Sequence, residues 1–334
     1  MGGNDQKMTG ATAHRISAPA STQAPRRRRG TESVAGARGG WRLGHETRSA
    51  MGFLSFNLAG FTLFTLVPVV LSVYISLFNW PLSGGSTRFV GLHNYSQALS
   101  SYGFWRIVLN TLYFVGSYVS LNLVVSLVLA TVLSPRVKAV KGKPFLRVVF
   151  FLPVVTPLVA SSLVWSLMYS QGGIINSVLN AVGIPAVPWL TSGAWAMPSI
   201  VLMSLWLGFG YNMILFIAGI TNIPDSLYDS AAVDGAGPMR RFFSVTLPLL
   251  SPLVFFGTLL TLITSFQVFV QAYILTSGGP GDASTTMVLD LYEEAFQYFR
   301  LGYGSSIAVL LAVIILIVTA VMFRLQRRFV FYEH

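Results

Sequence analysis

The chain has 334 residues, 53% hydrophobic and only 10% charged, with a net charge of +11 and no cysteine. A soluble domain carries about 25% charged residues, so most of this chain is expected to be solvated by lipid. The missing cysteine excludes disulfides, thiol nucleophiles and Cys-ligated metals, and His14, His45, His93 and His334 are too scattered to suggest a metal site.

Residues 1–50 are rich in Gly, Ala, Ser, Thr and Arg, include Arg26 to Arg29, and show no apolar periodicity. This reads as a disordered basic tail. A cleaved signal peptide fits poorly, because the tail is long and polar and no small-residue cleavage site follows the first apolar run. The arginines suit topogenic charge and anionic lipid better than nucleic acid.

Charge-free intervals then set the architecture: 49–87, 107–135, 148–224, 242–281 and 301–323. A spanning helix needs about 20 apolar residues. The third interval is long enough for two and is interrupted by loop chemistry from Ser170 to Pro198. The expectation is an all-α membrane protein with about six spans, near 52–78, 109–134, 148–169, 196–220, 246–274 and 305–323. They form one transmembrane domain over 51–329, followed by a short tail, 330–334.

With the N-terminus inside, 19 of the 22 Lys and Arg fall on inner segments and Arg88, Arg106 and Arg300 fall outside. By the positive-inside rule both termini are cytoplasmic, and the basic composition needs no nucleic-acid partner. Trp80, Trp105, Trp189 and Trp195 lie at expected interfaces, as in an aromatic belt. The spans contain no Asp, Glu, Lys, Arg or His, which argues against a proton-driven carrier. They do carry Tyr211, Asn212, Thr261, Thr264, Ser265, Gln267 and Gln271. Singly, such groups hydrogen-bond between helices. Clustered in the fourth and fifth spans, they suit a pathway for a neutral polyhydroxylated solute.

Between those two spans lies a polar island, 225–248, which the charge tally places in the cytoplasm. Ser226 and Asp229 have the spacing of a capping box, Gly235 and Gly237-Pro238 break the helix, and a second helix can start at Pro238. An exposed helix–turn–helix with small residues is shaped for docking. In the last outer loop, Asp290, Glu293 and Glu294 read as a solvated face. No phosphate-binding loop is present, since Gly142-Lys143 is followed by Pro144. There is no paired-carboxylate site in the membrane, no nucleophile elbow and no zinc-protease motif. The sequence offers a pathway and a docking loop but no catalytic residue, no metal site and no cofactor of its own.

Asp229-Ser-Ala-Ala-Val-Asp-Gly-Ala236, with nine residues between Gly235 and Val245-Thr-Leu-Pro248, resembles the EAA motif of ABC-importer permease subunits. Asp229 stands for the family's Glu, Ser230 for Ala and Val245 for Ile. Ser265-Phe-Gln-Val-Phe269, Leu275-Thr-Ser-Gly-Gly-Pro280 and Thr285-Thr286 look like the carbohydrate-uptake type. Gly91-Leu-His-Asn-Tyr95 and Asn110-Thr111 look like the first permease subunit of maltose, trehalose and glycerol-3-phosphate importers. The resemblance covers about 52–326 and implies a type I importer fold in a prokaryotic cell membrane. It implies a second, homologous permease, an ABC ATPase dimer that holds ATP and Mg, and an extracellular or periplasmic solute-binding protein. The docking residues become Ser226, Tyr228, Asp229, Ser230, Ala231 and Ala232, with Asp234, Gly235, Ala236 and Pro248. Motif register carries the sugar-holding positions onto Leu207, Gly208, Tyr211, Thr264, Ser265 and Val268, with Thr261 a weaker match. Asn212 joins them from its place among the polar span residues. A glycerophosphate cargo would want a cation in the spans, so a neutral sugar is expected. An ion-coupled carrier and a membrane-embedded enzyme are the other classes weighed.

Overall fold

The computed structural model describes residues 45–137 and 139–329. The expected tail up to residue 44, Lys138 and the C-terminal residues 330–334 lie outside them. The chain separates into two compact units, 1–57 and 58–334. In the first, a helix already runs from His45, so 45–50 is not the unstructured chain expected. Hydropathy marks where the apolar run begins, while helix hydrogen bonding continues into the polar residues before it.

Six helices among the described residues are long and apolar enough to cross a membrane: Leu54–Ser76, Tyr102–Leu133, Leu158–Ala181, Ala196–Asn222, Pro238–Ser265 and Leu301–Gln326. The second starts seven residues before the expected 109, because Ser101 caps it by accepting from the Phe104 amide. Two expected spans are not continuous. Over 148–169, a helix Lys143–Phe151 gives way to a 3₁₀ turn at Leu152–Val155 before Leu158–Tyr169 begins. Pro153 and Pro157 remove the amide donors that an unbroken helix would use. Over 246–274, the helix stops at Ser265 and resumes only at Val270–Thr276. A two-residue antiparallel pair, Phe78–Asn79 with Arg88–Phe89, adds the one strand pairing in the described residues.

The second and fourth spans pack along each other and the fifth packs on both. One apolar core gathers Phe114, Ile200, Met203, Phe266, Met287 and Ile307, and another Leu133, Met213, Phe216, Ile220 and Leu250. Between the cores runs a buried polar chain. Asn212 Nδ2 donates to Asn122 Oδ1 (2.6 Å) and to Thr261 Oγ1 (2.8 Å), and Ser126 donates to the Phe209 carbonyl (2.9 Å). In lipid these bonds have no water to compete with them.

Span ends are held by side chains from other segments. Arg147 donates to the Leu133 carbonyl (2.5 Å) and Lys143 to the Ser134 carbonyl (2.5 Å), just past the second span. Arg136 donates to the carbonyls of Ile220 (3.2 Å) and Ile223 at the end of the fourth. At the opposite ends, Asn94 Nδ2 donates to the carbonyls of Ser76 (2.8 Å) and Phe78 (3.0 Å), closing the first span. Asn110 Nδ2 reaches the carbonyls of Asp282 (2.7 Å) and Thr285 (3.2 Å), and Thr111 Oγ1 accepts from the Met287 amide (3.0 Å). The two short motifs near residues 91–95 and 110–111 are therefore staples. Trp189 is another, rather than a belt residue: it packs against Tyr169 and Trp195, and its Nε1 donates to Asn176 Oδ1 at 3.0 Å.

Asn176 is fully buried and also bonds to the Ser170 carbonyl and to both backbone groups of Val187. Replacing Asn176 by Ala strands these four partners at about 1 kcal/mol each, and a loss of about 4 kcal/mol is expected. Thermal unfolding of the purified protein in detergent measures it, and an unchanged midpoint would show that the loop does not depend on this side chain.

Candidate functional site

The break in the fifth span opens a cavity of about 270 Å³. Thr264, Ser265, Gln267, Val268, Phe269 and Gln271 line it from the break itself, and Phe114, Tyr118, Leu158 and Ser204 from the second, third and fourth spans. Non-helical backbone is tolerated at such depth where it borders a cavity. Here the Val268 carbonyl freed by the break accepts from Thr286 Oγ1 at 2.9 Å. The lining combines hydroxyl, amide and aromatic groups with the aliphatic Leu158, Val268 and Val270, and has no charged side chain. Such a surface can exchange hydrogen bonds with a polyol and stack on its apolar face.

Three of the expected pathway residues, Thr264, Ser265 and Val268, meet in this cavity, and Gln267 and Gln271 join them. Asn212 and Thr261 do not: they belong to the buried chain between spans, with Asn212 only 3% exposed. Leu207 packs against the apolar core, and Tyr211 stands exposed away from the lining. Gly208 lies directly beneath Tyr118. A Cβ built there would come within 2.1 Å of the Tyr118 hydroxyl and 3.3 Å of Asn122 Nδ2. Tyr118, stacked on Phe114 at 5.5 Å, therefore covers a position expected to face the pathway. Sequence reasoning missed Tyr118 because the second span carries no resembling motif at that point. Its only signal is a hydroxylated aromatic four residues after Phe114.

The second candidate surface is the helix Asp225–Val233. It follows Pro224 directly, which puts Ser226 and Asp229 inside the helix, and no side chain caps it. The expected capping box does not form. Instead Asp225 in the first turn pairs with Arg136. The helix ends as the glycine required: Gly235 has φ +74°, its amide bonds to the Ala232 carbonyl, and the Ala236 amide to the Ala231 carbonyl at 2.9 Å. Pro248 is not in the turn. The next helix starts at Pro238 and continues through a π-turn at Phe242–Thr246 into the fifth span, so Pro248 lies within that span. Asp229, Ser230, Ala232, Val233 and Asp234 face outward, as do Met239 and Phe243 further on. Val233 is 89% exposed and Met239 75%, an apolar tip with no partner in this chain. Tyr228 turns inward and shares a hydrogen bond with Thr246 Oγ1 (2.8 Å). Ala231 is half-buried and Ala236 buried. Beside this helix lies a polar hollow of about 950 Å³, lined in part by Arg136, Asp225, Tyr228, Asp229 and Arg241.

The acidic residues near 290 are not the solvated face expected. Glu294 is 8% exposed and pairs with Arg300. Burial, with Glu294, Glu293 and Asp282 nearby, pushes the Asp290 carboxyl up to about 7 against the pull of Arg300. The buried Glu294 and its pairing with Arg300 make this cluster a packed element of the loop.

Residues 122–331 match the family described as binding-protein-dependent transport system inner membrane component. The chain is 35% identical to the probable ABC transporter permease protein YurN of Bacillus subtilis, over 80% of this chain and 91% of that protein. It is also 35% identical to the trehalose/maltose transport system permease protein MalF of Thermococcus litoralis, over 79% and 88% respectively. Among solved structures, a chain of a bacterial alginate ABC transporter in complex with an alginate-pentasaccharide-bound periplasmic protein superposes with a TM-score of 0.73. The identity is 20%, over 85% of this chain and 95% of that one, and the likeness is of fold.

Because the Tyr118 hydroxyl occupies the space above Gly208, Gly208→Ala is expected to cost about 1–3 kcal/mol by overpacking. Adding Tyr118→Ala should recover most of that loss, giving a coupling of at least about 1 kcal/mol in a thermal-unfolding double-mutant cycle. Additive effects would mean that the two residues do not touch.

Proposed function

The chain belongs to the family of binding-protein-dependent transport system inner membrane components, and on that basis we propose that it forms half of a translocation pathway for a neutral sugar, driven by ATP hydrolysed elsewhere. It is a multi-pass membrane protein and the permease subunit of an ABC importer. Members of this family are non-enzymatic membrane subunits, and the ATPase is a separate partner.

The observation that carries the substrate reading is the uncharged lining of the cavity at the broken fifth span. A phosphorylated or carboxylated solute would be desolvated there without a cation, which is costly. Hydroxyls from Ser204, Thr264 and Ser265 and amides from Gln267 and Gln271 can replace the water of a sugar, and Tyr118 and Phe269 offer ring faces. The trehalose/maltose assignment of one relative agrees with this class.

The partners follow from what this chain lacks. A second, homologous permease completes the pathway, two ABC ATPase subunits hold ATP and Mg, and an extracellular or periplasmic binding protein delivers the sugar. One ATPase receives the exposed tip formed by Asp229, Val233 and Met239. Arg136, Lys143 and Arg147 gather at the docking-helix end of the bundle, which supports a cytoplasmic placement for that end and for both termini in a prokaryotic cell membrane. Closure of the ATPases then moves the docking helix as a body and switches the cavity between the two sides.

The binding protein encoded beside this gene is expected to gain thermal stability with a neutral mono-, di- or oligosaccharide and not with glycerol-3-phosphate. In vesicles holding the full complex, that sugar should accumulate only with ATP. Deleting Asp229–Gly237 should bring uptake to background. Uptake that survives the deletion, or proceeds without ATP, would contradict the reading.

A further inference from the structure

Arg136 stands three residues beyond the second span, and its guanidinium touches two other elements, the docking helix and the end of the fourth span. It pairs with Asp225 at the start of the docking helix. It donates to the carbonyls of Ile220 (3.2 Å) and Ile223, where the fourth span ends. Its carbon lies 4.3 Å from the centre of the Tyr228 ring, and the Tyr228 hydroxyl is 2.8 Å from Thr246 Oγ1 on the turn that opens the fifth span. Thr246 is 5% exposed, so that last contact is made inside the protein. A guanidinium can do all of this at once because it combines a planar fork of donors with a stacking face. The C-terminal end of the fourth span also favours a cation there.

The second and fourth spans, which Arg136 links directly, and the fifth, which it reaches through Tyr228 and Thr246, are the three that reach the cavity with a polar side chain: Tyr118, Ser204 and Thr264 respectively. At 1.5 Å per residue, each lies roughly 25 Å along its helix from the arginine. The docking helix itself makes little other contact with the bundle.

We propose that Arg136 is the positioning residue that carries movement of the docking helix into the three spans that give the cavity its polar side chains. Docking onto the ATPase is the permease reading given above, and the assignment of this linkage to Arg136 rests on it. Displacing Asp225 and Tyr228 drags the guanidinium, which pulls the end of the fourth span and, through Thr246, the start of the fifth. Without the fork the docking helix still meets its ATPase but moves loosely against the spans.

The test uses the complete complex in nanodiscs with MgATP, and a single cysteine at Gln267→Cys in this cysteine-free chain as a reporter of cavity exposure to a membrane-impermeant maleimide. The parent should show an ATP-dependent change in labelling. Arg136→Lys keeps the charge but not the fork, and Tyr228→Phe keeps the ring but not the bond to Thr246. Both variants should assemble and hydrolyse ATP within about two-fold of the parent, while the ATP-dependent labelling change falls at least five-fold for Arg136→Lys and about two-fold for Tyr228→Phe. A full labelling change in Arg136→Lys would overturn the proposal. So would failure of both variants to assemble, which would make Arg136 a purely structural cap. No ATP-dependent change in the parent would instead overturn the permease reading.

Discussion

A helix that crosses lipid ends in carbonyls that no residue of its own can satisfy. This chain meets that constraint at one end of the bundle with borrowed cations. Lys143 and Arg147 close the second span, and Arg136 closes the fourth. Basic residues of the loops therefore tie those loops to the span ends. The tie matters because the docking helix hangs from it. Asp225 and Tyr228 are held by the same guanidinium that satisfies Ile220 and Ile223.

The opposite problem arises in the middle of the fifth span, where the helix is interrupted between Ser265 and Val270. The freed backbone is tolerated because Thr286 reaches the Val268 carbonyl and the rest borders a cavity. Thr285 and Thr286 are fully or nearly fully buried, and the loop that carries them is stapled to Asn110 and Thr111. The break is thus a built feature, supported from outside by packed loop residues and lined by uncharged polar groups. A solute meeting it finds hydroxyls, amides and rings and no charge. The second, fourth and fifth spans run from the polar end to the level of the break.

Much of this was legible in the sequence. The span count follows from charge-free intervals, and the docking helix from Gly235 and the spacing to Val245. The breaks were less visible. Pro153 and Pro157 signal the first, but averaged hydropathy runs straight across them. The second has no glycine or proline between Ser265 and Val270, and it is held by local turn bonds, such as the Val268 amide to the Ser265 carbonyl, together with the tertiary bond from Thr286. The pathway split for a physical reason. Of the positions that motif register picked, Thr264, Ser265 and Val268 line the cavity, while side-chain packing sets Gly208 against the Tyr118 hydroxyl. Asn212 and Asp290 failed as surface or pathway groups because burial and partners cannot be read from residue type. Arg136 was counted as one charge among many, since nothing in its neighbours announces three separate acceptors.

The account stands or falls on what covers the apolar tip around Val233. The chain has no cysteine, so Val233→Cys, labelled on this chain before the complex is assembled, gives it a single attachment point for a benzophenone photo-cross-linker. Illumination followed by mass spectrometry should recover an adduct between Val233→Cys and an ABC ATPase subunit. Adducts confined to lipid, to this chain or to the binding protein would contradict it.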